Sequence, residues 1–402
     1  MKLTLNKQKL FGQTSERSRL PLYDANTVAY FQRWFGLYPG PGHGGSDDAN
    51  INNGSSTTAN GAGPKHGVEN EVHDGAATRK HEPLFIVRNK FWYYLFSFGA
   101  WLGSDAFYFI LFSMVISNLS WWVSRRVLLT WAITMYIGQA AKELLKWPRP
   151  SEPPVVRMER RYLMEYGMPS THAMVGTLIP FTFLIGTWNH YEYPHALGVV
   201  LACSWTALVC FSRLYKGMHF ILDVIAGETL IWILMLLLWP LLDPLDYFLV
   251  THPQAPLVLI SVSVFFCLIY PCQNGVASSR ADTISSLGSV SGAFCGFWFN
   301  YRTGMLPDVL APLGGVIEWP DWNTAGLMLI KYLVTQVLSL MIYVPVRAFI
   351  LQVISVVFNT EINERTKRLL YVEIPYRYTT FIVLLSIVYV GMPLLFLKLG
   401  LE

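Results

Sequence analysis

From residue 83 onward the chain alternates long apolar runs with short polar connections. The runs Ala106–Trp122, Val127–Leu145, His172–Trp188, His195–Phe211, His219–Leu242, Pro256–Tyr270, Thr283–Phe299, Leu327–Ile350 and Thr379–Leu399 predict nine spans. Most approach or exceed the roughly 20 apolar residues needed to cross a hydrocarbon core. A shorter run, Phe91–Gly103, precedes Asp105 and reads as an interfacial or partly inserted helix leading into the first span. Two prolines in Lys146-Trp147-Pro148-Arg149-Pro150 stop the second span. A polar loop with Arg157, Arg160 and Arg161 follows, and a short acidic loop with Asp243 and Asp246 is expected after the fifth span. The pattern predicts an all-α polytopic membrane protein of about nine transmembrane helices.

Residues 1–82 break this pattern. Gly40–Ala77 has almost no apolar residues and is expected to be disordered. Within the tail, the aromatic segment Val28–Tyr38 reads either as a short interfacial helix or as a piece packed on the membrane domain. Asn53-Gly54-Ser55 is a glycosylation sequon, usable if the tail is lumenal. In the seventh span, Gly288, Gly292 and Gly296 make a small-xxx-small ladder that reads as a packing face.

Composition agrees: of 402 residues, 53% are hydrophobic and only 14% charged. A net charge of +4 without a basic-aromatic module excludes a nucleic-acid partner. Cys203, Cys210, Cys267, Cys272 and Cys295 lie in or beside apolar runs without CxxC spacing, so neither a zinc site nor a disulfide framework is expected. No apolar run follows Met1, so the first span is expected to target the chain.

The chemistry-bearing residues collect at span ends. If spans alternate direction, the end of the second, the start of the third, the end of the fourth and the start of the fifth share one side. Lys142 lies about two helical turns before Arg149-Pro150. A lysine inside a span points to a function or a partner, although snorkelling to headgroups is the plainer reading. Pro169-Ser170-Thr171-His172 precedes the third span, where Ser170 or Thr171 caps the helix. The same helix start also suits a phosphate, with His172 in its first turn placed to donate a proton. Ser212-Arg213 ends the fourth span, and His219 and Asp223 open the fifth. If the helix includes Met218, His219 and Asp223 share a face, and the carboxylate can fix the imidazole tautomer for attack. Taken alone, such a pair is most often a local hydrogen bond.

Together, Lys142-x6-Arg149-Pro150, Pro169-Ser170-Thr171-His172 and Ser212-Arg213-x5-His219-x3-Asp223 resemble the three-part signature of the type 2 phosphatidate phosphatase superfamily. That superfamily includes lipid phosphate phosphatases, glucose-6-phosphatase and vanadium haloperoxidases. Thr171 departs from the glycine many members carry there. Tyr166–Ala173, Val28–Leu37 and Arg280-Ala281-Asp282-Thr283 look like the sphingosine-1-phosphate phosphatase branch. The resemblance implies a helical-bundle phosphatase core over residues 83–242, an interfacial helix plus five spans, with further transmembrane helices over 243–402.

It further implies that His219 attacks phosphorus to form a phosphohistidine and that Asp223 orients it. His172 would protonate the leaving oxygen and then activate water. Lys142, Arg149, Ser170 and Arg213 would hold the phosphate oxygens, helped by a backbone N–H near Thr171. Three fixed cations can neutralise the transferring group without a metal, so no cofactor is expected.

The implied partners are a sphingoid phosphate substrate and membrane lipids. The ammonium of such a lipid asks for an acidic neighbour, and Glu165 and Asp282 are the candidates, unless they pair structurally with nearby arginines. The resemblance implies an endoplasmic reticulum membrane with a lumenal site. The basic residues on the active-site side, Arg365-Thr366-Lys367-Arg368 among them, argue for the cytoplasm instead. A lipid phosphotransferase or sugar-phosphate phosphatase, and a non-enzymatic transporter or scramblase, are the rival readings.

Overall fold

The helices that hold the site are the second to fifth of the predicted spans, and their packing sets the rest of the architecture. The computed structural model describes residues 21–40, 84–118, 121–159, 165–271, 278–306, 315–316 and 320–400. In chain order these form α1 (Ala25–Trp34), β1 (Leu37–Pro39), β2 (Phe85–Val87), α2 (Lys90–Leu102), α3 (Asp105–Asn118) and α4 (Trp121–Leu145). Then come α5 (Thr171–Trp188), β3 (Tyr191–Glu192), α6 (His195–Tyr215), α7 (Ile221–Thr251), α8 (Ala255–Ile269) and α9 (Ser278–Arg302). Next are β4 (Gly315–Val316), α10 (Trp322–Val357) and α11 (Leu370–Leu399). β1 pairs antiparallel with β2, and β3 parallel with β4.

Among the described residues, α6, α7, α10 and α11 are long and apolar enough to cross a membrane, and α8 is apolar but shorter. Large apolar side chains stand exposed on these helices, including Leu236 at 78% and Val356 at 76%, where only lipid can cover them cheaply. The chain is a multi-pass membrane protein built almost wholly of helices.

The first predicted span, Ala106–Trp122, overlaps both α3 and the start of α4, and residues 119–120 lie outside the described residues. One expectation needs correction: the acidic loop after the fifth span is absent, because α7 continues through Pro240 and Pro244 to Thr251. Prolines are tolerated inside membrane helices where neighbours re-satisfy the backbone. Asp246 and Asp243 therefore project from a helix, and their partners lie on α4. Arg125 donates to Asp246 through Nε at 2.7 Å and Nη2 at 3.0 Å, and Arg126 pairs with Asp243.

The largest core joins Leu128 and Leu129 of α4 to Val290 and Phe294 of α9 and to Leu384 and Val388 of α11. The glycine ladder of α9 faces α11: a Cβ on Gly292 would lie 2.4 Å from the carbonyl oxygen of Ile382. Only glycine permits that approach, so the ladder is a packing face. Cys203, Cys210, Cys267 and Cys295 are free thiols, and Cys272 lies outside the described residues.

The aromatic tail segment packs on the membrane domain rather than lying apart from it. Asp24 caps α1 by accepting from the Asn26 amide, and Val28 and Ala29 are buried. Buried Gln32 donates to the carbonyls of Val156 at 2.8 Å and Tyr215 at 2.9 Å, and accepts from the Val156 amide at 3.0 Å. One side chain thus ties the loop after α4 to the end of α6. Tyr23 packs edge-on to Trp147 and at a tilt to Phe220, with ring centroids 5.0 and 4.0 Å away. The sequon at Asn53, and Arg160 and Arg161, lie outside the described residues.

Candidate active site

Each part of the site begins as a helix terminus. Ser170 is the N-cap of α5 and accepts from the Ala173 amide, which satisfies one of the donors a helix start leaves open. Phe220 is the N-cap of α7, and Asp223, three residues on, returns its Oδ2 to the Phe220 amide at 2.9 Å. The Ser170 amide in turn donates to the Asp223 carbonyl at 3.0 Å, joining the two helix starts directly. Their approach is close: a Cβ on Gly227 would meet the Ser170 carbonyl at 2.7 Å.

His219 therefore lies just outside α7, not on its first turn as the shared-face expectation requires. The pairing with Asp223 survives by another route. The carboxylate is held by the α7 cap, and its Oδ2 stands 3.5 Å from His219 Nδ1. That is longer than a hydrogen bond, and Nδ1 has no hydrogen-bond partner. His219 Nε2 lies 3.3 Å from Arg149 Nη1. His219 is almost wholly buried, and burial pushes its pKa well below the ordinary imidazole value, with Arg149, Lys142, His172 and Arg213 pushing the same way. Burial thus favours the neutral ring, the form that a nucleophile needs.

The cations converge from three elements. Lys142, near the end of α4, is 1% exposed and donates from Nζ to Thr171 Oγ1 at 2.9 Å. Arg149, in the segment after α4, donates from Nε to the Glu165 carbonyl at 2.9 Å and from Nη1 to the Met218 carbonyl at 2.7 Å. Both backbone anchors leave the guanidinium in place beside His219. Arg213, on the last turn of α6, donates from Nε to Ser212 Oγ at 3.2 Å and from Nη1 to Glu159 Oε2 at 3.3 Å. Its Nη2 is buried and unpartnered. His172 is partly exposed in the first turn of α5 and is near enough to lower the pKa of His219.

The two candidate headgroup acids differ in position. Glu165 Oε2 lies 3.7 Å from both Lys142 Nζ and Arg149 Nη2, between two cations of the site. Asp282, near the start of α9, interacts electrostatically with Lys142 and lines a separate cavity.

Three residues of the site escaped sequence reasoning. Glu159 holds Arg213, Gln32 ties down the loop, and Gly227 lets two helix starts meet. Gln32 had a faint signal: a lone amide in an aromatic segment.

The cluster gathers three buried cations around a buried imidazole, an arrangement whose charge suits a tetrahedral anion and phosphoryl transfer. The PAP2 superfamily model matches residues 123–245, which include every helix of the cluster. The chain is 38% identical to sphingosine-1-phosphate phosphatase 2 of Homo sapiens over 377 residues, 90% of this chain and 93% of that relative. It is 34% identical to sphingosine-1-phosphate phosphatase 1 of Rattus norvegicus over 82% of this chain and 77% of that one. A dihydrosphingosine 1-phosphate phosphatase of Saccharomyces cerevisiae is 25% identical over 52% of this chain and 53% of its own length. No solved structure matches. The chain belongs to the PAP2 superfamily, in its sphingosine-1-phosphate phosphatase family.

Proposed function

We propose that the chain hydrolyses sphingosine 1-phosphate and related sphingoid base 1-phosphates to sphingoid base and inorganic phosphate through a phosphohistidine. The observation that carries this reading is the buried imidazole of His219, with Nδ1 toward Asp223 and Nε2 toward Arg149. The names of the relatives supply the substrate class.

In the first step the Nε2 lone pair attacks phosphorus while the bond to the lipid oxygen breaks. His172 gives that oxygen its proton, and Asp223 stabilises the charge that develops on the His219 ring. In the second step His172, now neutral, takes a proton from water. The hydroxide displaces His219 and releases phosphate. Lys142, Arg149 and Arg213 neutralise the equatorial oxygens, with Ser170 and the start of α5 adding donors. The unpartnered Nη2 of Arg213 is a donor already in place for one of those oxygens. These cations do the work that Mg²⁺ does in other phosphoryl transfers, so no metal is required.

The broader frame follows the same reading. Residues 83–242 form the phosphatase core and 243–402 the remaining helices of a nine-span protein, in the endoplasmic reticulum membrane with the site on the lumenal side. Glycan on Asn53 in cells supports that orientation; its absence from an accessible sequon contradicts it. Glu165 is held by two cations, which favours a structural part for it and leaves Asp282 as the ammonium partner. The direct test is phosphate release by purified protein in EDTA from a panel of lipid phosphates. Turnover of sphingoid phosphates ahead of phosphatidate supports the proposal. Lipid movement without phosphate release favours a transporter, and phosphate appearing on an added acceptor lipid favours a phosphotransferase.

A further inference from the structure

A cavity of about 270 Å³ lies between α3, α4, α9, α10 and α11, outside the phosphate site. Helix α4 connects the two. Lys142, Gln139, Met135, Trp131 and Leu128 are spaced three or four residues apart and so fall on one face. Lys142 ends that stripe in the phosphate site, and Trp131 and Leu128 line the cavity. The eleven helical steps from Trp131 to Lys142 span about 16 Å. That is about the depth of one leaflet of a hydrocarbon core roughly 30 Å thick.

Helix α9 forms the facing wall. Its start meets the end of α4, where Ser279 donates to Glu143. Asp282, Ser285, Ser286, Ser289 and Ala293 recur at helical spacing on one face, and all five line the cavity. The order runs from a carboxylate beside Lys142, through three hydroxyls, to apolar side chains. Each of those serines already donates its proton to a carbonyl one turn back. What they offer a ligand is lone pairs, which suit the N–H and O–H donors of an amino alcohol. Arg377 stands at the same rim, 3.7 Å from Glu373 and reaching Ser285 at 3.5 Å. The remaining walls are apolar, with Phe112, Phe381, Leu384 and Val388.

We propose that this cavity takes the long alkyl chain of the sphingoid phosphate, with Asp282 and the serine stripe receiving its ammonium and hydroxyl while the phosphate sits at Lys142. This inference rests on the function proposed above and adds a chain-binding subsite formed by the C-terminal helices. It assigns the helices after residue 245, which the PAP2 match leaves out, a part in substrate selection.

The test uses the full-length protein and a sphingoid base 1-phosphate carrying a photoreactive diazirine near the end of its chain. Adducts are expected at the apolar end of the cavity, on α10 and on α11 around Phe381–Val388. Adducts on the outward faces of α6 or α8 overturn the assignment while leaving the phosphatase reading intact. Ser289→Phe, which fills the cavity, is expected to lower kcat/KM for the long-chain substrate by about tenfold or more. The same variant should turn over a short-chain, water-soluble phosphate monoester like the parent, which also shows that it folds. Equal losses on both substrates, or on neither, overturn the inference. If the parent protein hydrolyses neither substrate, the functional reading fails and this one fails with it.

Discussion

Helix α4 carries buried cations at both ends, and the two ends hold them differently. At one end Arg125 grips Asp246 in a two-pronged pair at 2.7 and 3.0 Å. At the other, Lys142 and Arg149 share Glu165 at 3.7 Å each, beyond hydrogen-bond reach. A buried charge without a matched partner is costly. The Arg125 end lowers that cost by direct pairing, while at the Lys142 end Glu165 stands back at 3.7 Å and, on the proposed function, a phosphate completes the balance. Buried charge alone does not mark a site; loosely paired charge gathered around a buried imidazole whose Nδ1 lacks a hydrogen-bond partner points to one.

Substitutions can break this contrast. His219→Ala is expected to lower turnover on the order of a millionfold, the loss seen when a nucleophile is removed. Phosphate release under single-turnover conditions measures it, and near-normal activity refutes the mechanism. Asp223→Asn should cost on the order of 10⁴ in kcat, as an orienting carboxylate does. Lys142→Met removes one charge that acts on the transition state and should cost roughly 10²- to 10³-fold in kcat, with little loss of thermal stability. Arg125→Met should show the opposite profile: stability falls by about 3–5 kcal/mol because buried Asp246 loses its two-pronged partner and keeps only Arg126 at 3.4 Å, while kcat at a permissive temperature stays near that of the parent. If both lysine and arginine variants lose the same property, the two ends do not differ as described.

The smallest effect expected is on pH dependence. Only neutral His219 can attack, and its pKa lies below the ordinary value because of burial and four nearby cationic or titratable neighbours. After correction for substrate ionisation, the loss of kcat/KM on acidification, which reports protonation of His219, should be centred below 6.5. An enzyme-derived decline centred above 6.5 contradicts that assignment.

Much of the site was legible because its three motifs are local and sit at helix ends, where alternation of direction brings them together without knowledge of packing. Lys142, Thr171, Arg149, His219 and Asp223 come together through short contacts. What local pattern hides is anything whose partner is remote. Gln32 bonds Val156 across 124 positions, and the partners of Asp243 and Asp246 lie on α4, more than a hundred residues earlier. The start of α7 was misplaced for a subtler reason: the cap at Phe220 is made by the Asp223 side chain, so the residue expected on the helix stands just before it. The tail shows the same limit, since an aromatic segment reads alike whether it meets lipid or protein.

The central claim is that the ends of four helices fix one phosphoryl group against His219. It is tested most directly by mixing purified protein with a sphingoid base 1-phosphate labelled on phosphorus, quenching in alkali within one turnover, and mapping the label by peptide mass spectrometry. The account predicts phosphate on His219, with no label in His219→Ala. Label on another residue, or full turnover with none trapped on His219 at any time, contradicts it.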